Sequence, residues 1–486
     1  MPTFDFPRST LAGLIGPGGA LSELTTPTLR LGVTGLARAG KTVFITALVR
    51  NLLREARLPF FTAAAQSRIV RAYLEPQPDH DVARFAYEEH LGALASQPPI
   101  WPESTRRISE LRVTVEYQSQ HPVWRHLGER RLHIDIVDYP GEWLIDLPLL
   151  SQSYGEWSAA SLDRMKAPGR TVQAHDVLSF IEALDPDAPM DEQAMLKGAD
   201  LFRLYLEAER SSGTFEPTLG PGRFLMPGDL AGSPLLTFLP VSPSQRAAPR
   251  GSLRDELGKR YRSYVQRVVE PFFRDHFARL DRQIVLVDAL SAIDRGGAAL
   301  HDLEATLAQV LSAFRTGDRG MLSFFLPRRI DRILFAATKA DHVPRASHDR
   351  LEAILGGLTA RAADKARFTG AEVRAIALAA LRATQEAELK RGAAETALVG
   401  VPLPGEQIGG ETFDGRRKAA LYPGDLPRTL EEATRPVPAA ATERDVVLVR
   451  FRPPRIGLDA PDGSPQPWPH IRLDRALEFL LGDRLE

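Results

Sequence analysis

The sequence of 486 residues predicts an α/β protein with a mostly parallel sheet, an antiparallel edge hairpin, helices on both faces and a large helical insertion. Three observations predict this fold class. Strand-like and helix-like segments alternate over 282–385, which is typical of right-handed βαβ units. Residues 111–117 and 132–136 alternate between apolar and polar side chains, as half-buried strands do. The stretch 144–281 has helical periodicity interrupted by Pro and Gly clusters.

The chain is too long for one simple core, so we expect several structural parts. These parts are an N-terminal arm over 1–28, an α/β core formed by 29–143 and 282–385, a mostly helical insertion at 144–281, and a C-terminal extension over 386–486. The extension is expected to contribute a strand and a final helix that packs on the core.

The composition argues against several classes of protein. Lys and Arg total 61 against 62 for Asp and Glu, so the net charge is −1 and no overall basicity favours nucleic acid. The absence of cysteine excludes disulfides, iron–sulfur clusters, thiolate zinc sites and a cysteine nucleophile. Neither a signal peptide nor an apolar stretch of membrane-spanning length is evident. We therefore expect a cytoplasmic protein, with peripheral association at the inner membrane left open.

The first strand-like run, residues 29–34, leads directly into the sequence GLARAGKT. These eight residues match the P-loop pattern G-x-x-x-x-G-K-[ST], and apolar residues at helical spacing follow them. Glycines let backbone N–H groups surround a triphosphate at the positive end of a helix. Lys41 would reach the β- and γ-phosphates, and the Thr42 hydroxyl would ligate Mg²⁺. The predicted phosphate-binding residues are Gly35, Ala37, Arg38, Ala39, Gly40, Lys41, Thr42 and Val43.

The remaining elements follow from the same patterns. Residues 58–102 are mostly helical by pattern, and the two alternating segments after them form the predicted hairpin at the edge of the sheet. Further elements are strands at 284–288, 333–337, 373–380 and 446–451, and a last helix that contains Leu473, Leu477, Leu480 and Leu481.

The second strand of the hairpin ends in Asp138-Tyr139-Pro140-Gly141, a D-x-x-G sequence. A carboxylate at the C-terminal end of a strand beside the P-loop strand is placed to hold the Mg²⁺ shell through water. The Gly141 N–H can touch the γ-phosphate. This four-residue pattern is weak alone, but it is strong after a P-loop and at the tip of an apolar strand.

Thr338-Lys339-Ala340-Asp341, of the form [NT]-K-x-D, follows the apolar run ILFAA. Asp341 can accept hydrogen bonds from both N1–H and the exocyclic N2 amine of guanine, a donor pair that adenine lacks, and Lys339 would lie along the base. A site built to hydrogen-bond a particular group can discriminate by roughly 10⁴ to 10⁵. The alternative is a solvated TKAD turn, which is common for isolated tetrapeptides.

The order P-loop, D-x-x-G and T-K-x-D is that of Ras-like GTPases. GLARAGKTVFITAL, DYPGEWLIDLPLL and ATKADHV resemble the signature stretches of the YcjX-like family of bacterial P-loop GTPases, which are associated with stress responses. The resemblance covers most of the chain. It implies a Ras-like P-loop NTPase core whose helical insertion is similar to that of G-protein α subunits, with GTP and GDP as ligands. It does not supply a cellular role.

Two elements of a Ras-like site are expected at switch positions. A Thr or Ser before the first hairpin strand would complete the Mg²⁺ shell; the candidates are Ser104 and Thr105, and we prefer Thr105. Arg106 or Arg107 could act as an internal arginine finger. The alternative for these two arginines is that they solvate the entrance to the strand.

Glu142 stands where many GTPases carry the Gln that orients the attacking water. A Glu is anionic near a triphosphate, yet it could orient or deprotonate water if its pKa were raised. Because Glu stands in place of Gln, the sequence does not predict the rate of hydrolysis. After the last sheet strand, the backbone N–H groups of Ala379, Ala380 and Leu381 would contact guanine O6.

Two functional hypotheses remain open. The first is an Mg²⁺-dependent GTPase that hydrolyses GTP to GDP and phosphate. The second is a nucleotide-gated interaction module that hydrolyses little alone and signals through its helical insertion to an unidentified, membrane-associated or soluble, protein partner. A P-loop ATPase is a third reading, against which Asp341 argues.

Overall fold

A computed structural model gives the structure of the protein over much of the chain. The residues that it describes are 26–35, 39–54, 58–103, 107–120, 128–167, 171–212, 220–242, 244, 246–313, 330–368, 370–389, 395–408, 410–435, 446–457 and 466–486. The predicted N-terminal arm lies outside these residues except for its last few positions.

A mixed sheet of eight strands forms the centre of the fold. Its strands are β1 (Thr28–Gly35), β2 (Ile69–Glu75), β3 (Ala83–Arg84), β4 (Ser109–Tyr117), β5 (Arg130–Asp138), β6 (Arg282–Val287), β7 (Arg332–Ala337) and β8 (Glu372–Ala377). Their order is β2-β4-β5-β1-β6-β7-β8, and β3 pairs with β4. In spatial order, the strands β5, β1, β6, β7 and β8 run parallel to one another. In contrast, β4 is antiparallel to β5 and β2 is antiparallel to β4. The predicted mostly parallel sheet with an antiparallel hairpin is confirmed.

Helices lie on both faces of the sheet and between its strands. They are α1 (Lys41–Leu53), α2 (Thr62–Ala65), α3 (Tyr87–Ala95), α4 (Tyr154–Met165), α5 (Thr171–Ala183), α6 (Glu192–Ser212), α7 (Gly222–Leu225), α8 (Leu253–Tyr264), α9 (Glu270–Asp275), α10 (Ala289–Arg295), α11 (Gly297–Ala313), α12 (His348–Phe368), α13 (Leu430–Thr434) and α14 (Leu473–Leu481). Within the described ranges, none of these helices combines the length and the apolar character that crossing a membrane requires.

The prediction that residues 58–102 are mostly helical is wrong. α2 and α3 are short, and the segment between them contains β2, which extends the sheet beyond the predicted hairpin. Every residue of β2 remains at least partly exposed. Because neither face of β2 is fully buried, its sequence lacks the clean apolar alternation that identified β4 and β5.

The two faces of the sheet have separate hydrophobic cores. On one face, Leu31 and Val33 of β1 pack with Phe44 of α1 and Leu477 of α14. On the other face, Phe335 of β7 packs with residues of α10, α11 and α12. Alternate side chains of each strand therefore enter different cores, as the two-residue period of a strand requires.

A large helical insertion lies between β5 and β6, as predicted. It contains α4 to α9, a 3-10 helix at Gly141–Ser151 and a π-helical turn at Val265–Val269. Its own core includes Trp157, Phe238 and Tyr261, whose ring centroids are 5.3 to 5.7 Å apart. The exact limits of the insertion and of the other parts stay predictions.

The C-terminal part differs from the prediction in its strands. Strands β9 (Gln385–Leu389), β10 (Glu395–Gly400) and β13 (Ala419–Leu421) form a small antiparallel sheet, and β11 (Gln407–Ile408) pairs with β12 (Glu411–Thr412). The predicted strand at 446–451 is wrong, since Val446 and Phe451 form only isolated bridges, to Gly424 and Pro402. Because those partners belong to separate parts of the chain, no continuous ladder forms. The final helix, α14, is present and its Leu477 and Leu480 are fully buried.

Candidate functional site

Five adjacent parallel strands end at the same edge of the sheet and carry most of the predicted site. In spatial order they are β5, β1, β6, β7 and β8. Ligands of open α/β sheets bind outside the carboxyl ends of the strands. Neighbouring strands lie roughly 4.8 Å apart, so β7 lies roughly 10 Å from β1 with β6 between them. The loop after β1 and the loop after β7 are therefore placed to hold two ends of one elongated ligand.

The loop after β1 has the geometry of a tight strand-to-helix turn. Gly40 has a φ of 82° and precedes α1, which begins at Lys41. This left-handed conformation favours glycine. At Gly35, a Cβ atom would lie 3.0 Å from the backbone oxygen of Leu286 on the neighbouring strand. Ala39 is buried. Two of the predicted phosphate-binding residues, Ala37 and Arg38, lie outside the described residues.

The P-loop lysine contacts the D-x-x-G aspartate. The Lys41 Nζ lies 3.1 Å from Asp138 Oδ1, and the Asp138 side chain is 1 % exposed. Val33 of β1 is directly opposite Asp138 of β5, so the sheet register brings the two motifs together. The next residue, Thr42, is buried and its hydroxyl donates to the carbonyl of Glu103 at 3.3 Å. A cationic group thus already lies on Asp138, and a backbone carbonyl lies within hydrogen-bond distance of the Thr42 hydroxyl.

The residues after Asp138 enter the interior of the protein. The Tyr139 hydroxyl donates to Gln283 Oε1 at 2.9 Å, and burial raises the pKa of Tyr139 far above its usual value. Gly141 and Glu142 begin the 3-10 helix Gly141–Ser151, and both are buried. Glu142 therefore stands next to the D-x-x-G turn, as predicted, but in a covered position.

The predicted switch residues before β4 are only partly described. Ser104, Thr105 and Arg106 lie outside the described residues. Arg107 is described and exposed. The proposed arginine finger and the Mg²⁺-ligating threonine thus stay predictions.

At the carboxyl end of β7, Lys339 contacts a residue that the sequence reasoning missed. Its φ is 61°, a left-handed conformation, and its ammonium forms an ion pair with the Asp288 carboxylate at the end of β6. Asp288 also caps α10 by accepting from the Ser291 N–H at 3.2 Å. Burial opposes ionisation of Asp288, yet the Lys339 charge and the Ser291 hydrogen bonds hold the pKa of this carboxyl below its usual value.

The carboxylate predicted to read guanine is held by the loop after β8. Asp341 is buried, and its Oδ2 accepts from the Ala383 N–H at 2.7 Å. The Thr384 hydroxyl donates to the backbone carbonyl of Asp341. Thr338, at the start of the motif, donates its N–H to the carbonyl of Val287 at 2.9 Å. The orientation of Asp341 is thus fixed from a second loop before any ligand binds.

One of the predicted guanine contacts is engaged elsewhere. The Ala379 N–H donates to the Ile471 carbonyl at 3.1 Å, and the Ile471 N–H returns a hydrogen bond to the Ala379 carbonyl at 2.8 Å. The Arg382 N–H donates to the Pro469 carbonyl at 2.8 Å. The Ala379 N–H is therefore not available to guanine O6 in this structure, which leaves Ala380 and Leu381 as the candidates in that loop.

Three positions of the site were not found from the sequence: Asp288, Ala383 and Ile471. Asp288 had a usable signal, because it directly follows the apolar run IVLV at an edge where other strands carry site residues. Ala383 and Ile471 act through backbone groups, so their side chains give no signal.

Among the described residues, no cluster of three or more His, Asp or Glu side chains could hold a metal ion.

The fold and the arrangement of the three motifs at one sheet edge define a Ras-like α/β P-loop protein with helical parts. The family model described as "YcjX-like family, DUF463" matches residues 29–485. The chain belongs to this YcjX-like family.

Two curated relatives cover nearly the whole chain. A protein named Ras-like GTPase YcjX from Escherichia coli (strain K12) is 36 % identical over 477 residues, which are 94 % of this chain and 96 % of that protein. A protein of the same name from Shewanella oneidensis (strain MR-1) is 35 % identical over 479 residues, which are 94 % of this chain and 95 % of that protein.

Proposed function

We propose that this protein binds GTP and hydrolyses it to GDP and phosphate with the help of Mg²⁺. The observation that carries the proposal is that the residues for the phosphates and the residue for the base lie at the same edge of the sheet. Lys41 and Asp138 stand at β1 and β5, and Asp341 stands at β7, roughly 10 Å from β1. The names of the two relatives, both called Ras-like GTPase, support the same activity.

Guanine recognition is assigned to the T-K-A-D loop. The buried Asp341 carboxylate would accept from the N1–H and N2 groups of guanine, and Lys339 would lie along the base. Adenine offers no such pair of donors, so the Asp341 oxygen that faces the base would remain unpaired, and an unpaired buried polar atom is unfavourable. The hydrogen bond from Ala383 supports this assignment because it fixes one oxygen of the carboxylate in advance.

The phosphate end is assigned to the P-loop. The N–H groups around Gly40 and the Lys41 ammonium would hold the β- and γ-phosphates. Lys41 would leave Asp138 to do so, and the Asp138 carboxylate would then take part in the Mg²⁺ shell. Thr42, Asp138 and Thr105 would hold the ion, which when bound neutralises charge on the β- and γ-phosphates. Gly141 would contact the γ-phosphate, Glu142 would orient water, and Arg106 or Arg107 would stabilise the developing charge.

Calorimetry of the purified protein with GTP, GDP and ATP in the presence of Mg²⁺ tests the binding part of the proposal. We expect GTP and GDP to bind and ATP to bind at least roughly 10³-fold more weakly. ATP that binds as tightly as GTP contradicts the guanine assignment. No binding of any of the three contradicts the site as a whole.

A second candidate is a nucleotide-gated interaction module that hydrolyses little by itself. The burial of Gly141 and Glu142 beneath the helical insertion favours it, because a change at the γ-phosphate would reach the insertion directly. Phosphate release over many turnovers without a partner favours the GTPase. Stable binding of GTP without release favours the module. A stress-related role, a cytoplasmic location and an unidentified protein partner, membrane-associated or soluble, are part of either proposal.

A further inference from the structure

The segment that follows the D-x-x-G motif is an unusually long 3-10 helix. It runs over Gly141–Ser151 and contains Pro148. Runs of 3-10 helix longer than three or four residues are uncommon because their hydrogen-bond geometry is poor. Eight of its residues are buried, so tertiary contacts rather than local propensity hold it in this shape.

Asp146 is the polar anchor of this helix. It is 3 % exposed, and its two carboxylate oxygens accept hydrogen bonds from separate places in the insertion. Oδ1 accepts from the Gly222 N–H and Oδ2 from the Tyr264 hydroxyl, each at 2.6 Å. A buried carboxylate is unfavourable unless it is hydrogen-bonded, so the 3-10 helix and these two donors must keep their relative position.

A second set of contacts lies one turn earlier, at Glu142 and Trp143. A Cβ atom on Gly222 would lie 1.9 Å from the Glu142 carbonyl oxygen, so α7 and Glu142 are in direct backbone contact. The Trp143 indole N–H donates to the Met226 carbonyl at 3.2 Å. The Arg223 guanidinium lies 3.2 Å from the centroid of the Trp143 indole. Residues 222–226 therefore hold the first turn of the 3-10 helix as well as its middle.

Tyr264 connects this contact to α8. It is the last residue of α8, it is fully buried, and the π-helical turn Val265–Val269 follows at once. Such turns inside helices are frequent at functional sites. Through one hydroxyl, α8 thus reaches the carboxylate that is five positions after Gly141.

We infer that Asp146 and Tyr264 are positioning residues for GTP hydrolysis, through which the helical insertion fixes where Gly141 and Glu142 stand relative to the γ-phosphate. The inference rests on the proposed function. In this arrangement the segment after D-x-x-G cannot move by itself when the γ-phosphate is lost. Either the hydrogen bonds to Asp146 break or α7 and α8 move with the segment, so the insertion takes part in each turnover.

The test compares two buried tyrosines of the insertion that differ in what their hydroxyl groups bind. Tyr264→Phe removes the hydrogen bond to Asp146. Tyr154→Phe is the matched control, since Tyr154 is also buried, but its hydroxyl donates to the Leu239 carbonyl at 2.8 Å. We expect Tyr264→Phe to lower kcat for GTP about tenfold, as loss of one hydrogen bond to a charged group does, with KM and GDP affinity changed less than about twofold. Tyr154→Phe should leave kcat within about twofold of the wild type.

Hydrogen–deuterium exchange of residues 141–151 supplies a readout that does not depend on turnover. With a non-hydrolysable GTP analogue bound, we expect Tyr264→Phe to raise exchange of this segment about tenfold and Tyr154→Phe to leave it unchanged. Asp146→Asn, which keeps an acceptor for Gly222, should restore part of the protection that Asp146→Ala loses. Equal kcat and equal exchange in the two tyrosine variants would overturn the inference while GTP binding stands. A wild type that binds no GTP contradicts the proposed function instead.

Discussion

The two ends of the candidate site are held in different ways. At the base end, Asp341 and Lys339 are already fixed by neighbouring residues, Ala383 and Asp288, that need not move when a ligand arrives. At the phosphate end, Lys41 is paired with Asp138, and this pair must open before the lysine can reach a phosphate. The base end is therefore preorganised, whereas ligand binding at the phosphate end requires the Lys41–Asp138 ion pair to open.

The largest expected effect is at the phosphate end. Lys41→Ala should weaken binding of GTP and GDP by roughly 100-fold or more, because a charge-assisted contact to phosphate is lost. The preference for guanine over adenine should persist in whatever binding remains. Calorimetry with GTP, GDP and ATP measures both quantities. Lys259→Ala, at an exposed ion pair in α8, is the control. An unchanged GTP affinity in Lys41→Ala would count against the whole site.

The second prediction addresses the base end. Asp341→Asn should weaken GTP binding by roughly 10- to 100-fold, because an amide can no longer accept from both guanine donors. The same change should improve binding of xanthosine triphosphate, whose 2-oxo group accepts from the new amide. Competition binding with the two nucleotides measures the exchange of preference. The Asn side chain still offers an acceptor to Ala383, so the loop after β8 should keep its place. Equal losses for GTP and xanthosine triphosphate would contradict the assignment of Asp341 to the base.

A smaller effect is expected where the two ends meet, at Asp288 between β1 and β7. Asp288→Asn removes the ion pair with Lys339 but keeps a side chain that caps α10 well. We expect guanine-nucleotide affinity to fall about three- to tenfold while the free energy of unfolding changes by less than about 1 kcal/mol. Calorimetry and urea denaturation give the two values. A loss of stability with no loss of affinity would mean that Asp288 serves only as a helix cap.

The smallest expected effect concerns the pH dependence of the unfolding free energy, to which Asp146 contributes. Burial raises the pKa of Asp146 to about 6 from its ordinary value of 3.8. The folded chain thus binds this proton more tightly than the unfolded chain, so the stabilising contribution is complete below the ordinary pKa and is lost as pH rises through about 6. Relative to Asp146→Asn, the wild type should lose on the order of 1 kcal/mol of unfolding free energy between pH 5 and pH 7. Urea denaturation at both pH values measures the difference, and a wild type that gains stability with pH relative to the variant would contradict it.

Much of the core was predictable because its signals are local. β1, β4, β5, β6 and β7 carry apolar runs or a clean two-residue alternation, and each of the three motifs stands where such a strand ends. β2 was missed because it is only partly buried, so its sequence shows no period. The segment 446–451 has the composition of a strand but finds no continuous partner, and whether a partner exists depends on the whole fold rather than on the segment.

In the candidate site, too, some residues have a local sequence signal and others depend on the whole fold. Lys41, Asp138 and Asp341 were found because their chemistry requires particular side chains in a particular order. The contact between Ala379 and Ile471 uses backbone atoms of segments far apart in the chain, and no side-chain pattern encodes it. The hydrogen bonds to Asp146 join parts of the chain that are equally distant. What the sequence did not reveal is therefore how the site is supported, whereas the groups that would contact the nucleotide were mostly visible.

The hydrogen bonds between residues 469–471 and the loop after β8 have a consequence for how the protein is made. During synthesis, the loop that orients Asp341 emerges from the ribosome long before its partners Pro469 and Ile471 exist. The growing chain can complete its P-loop early, but the support of the base end must wait until translation has passed residue 471. In an incomplete chain, the loop after β8 would therefore lack the hydrogen bonds that hold it to residues 469–471.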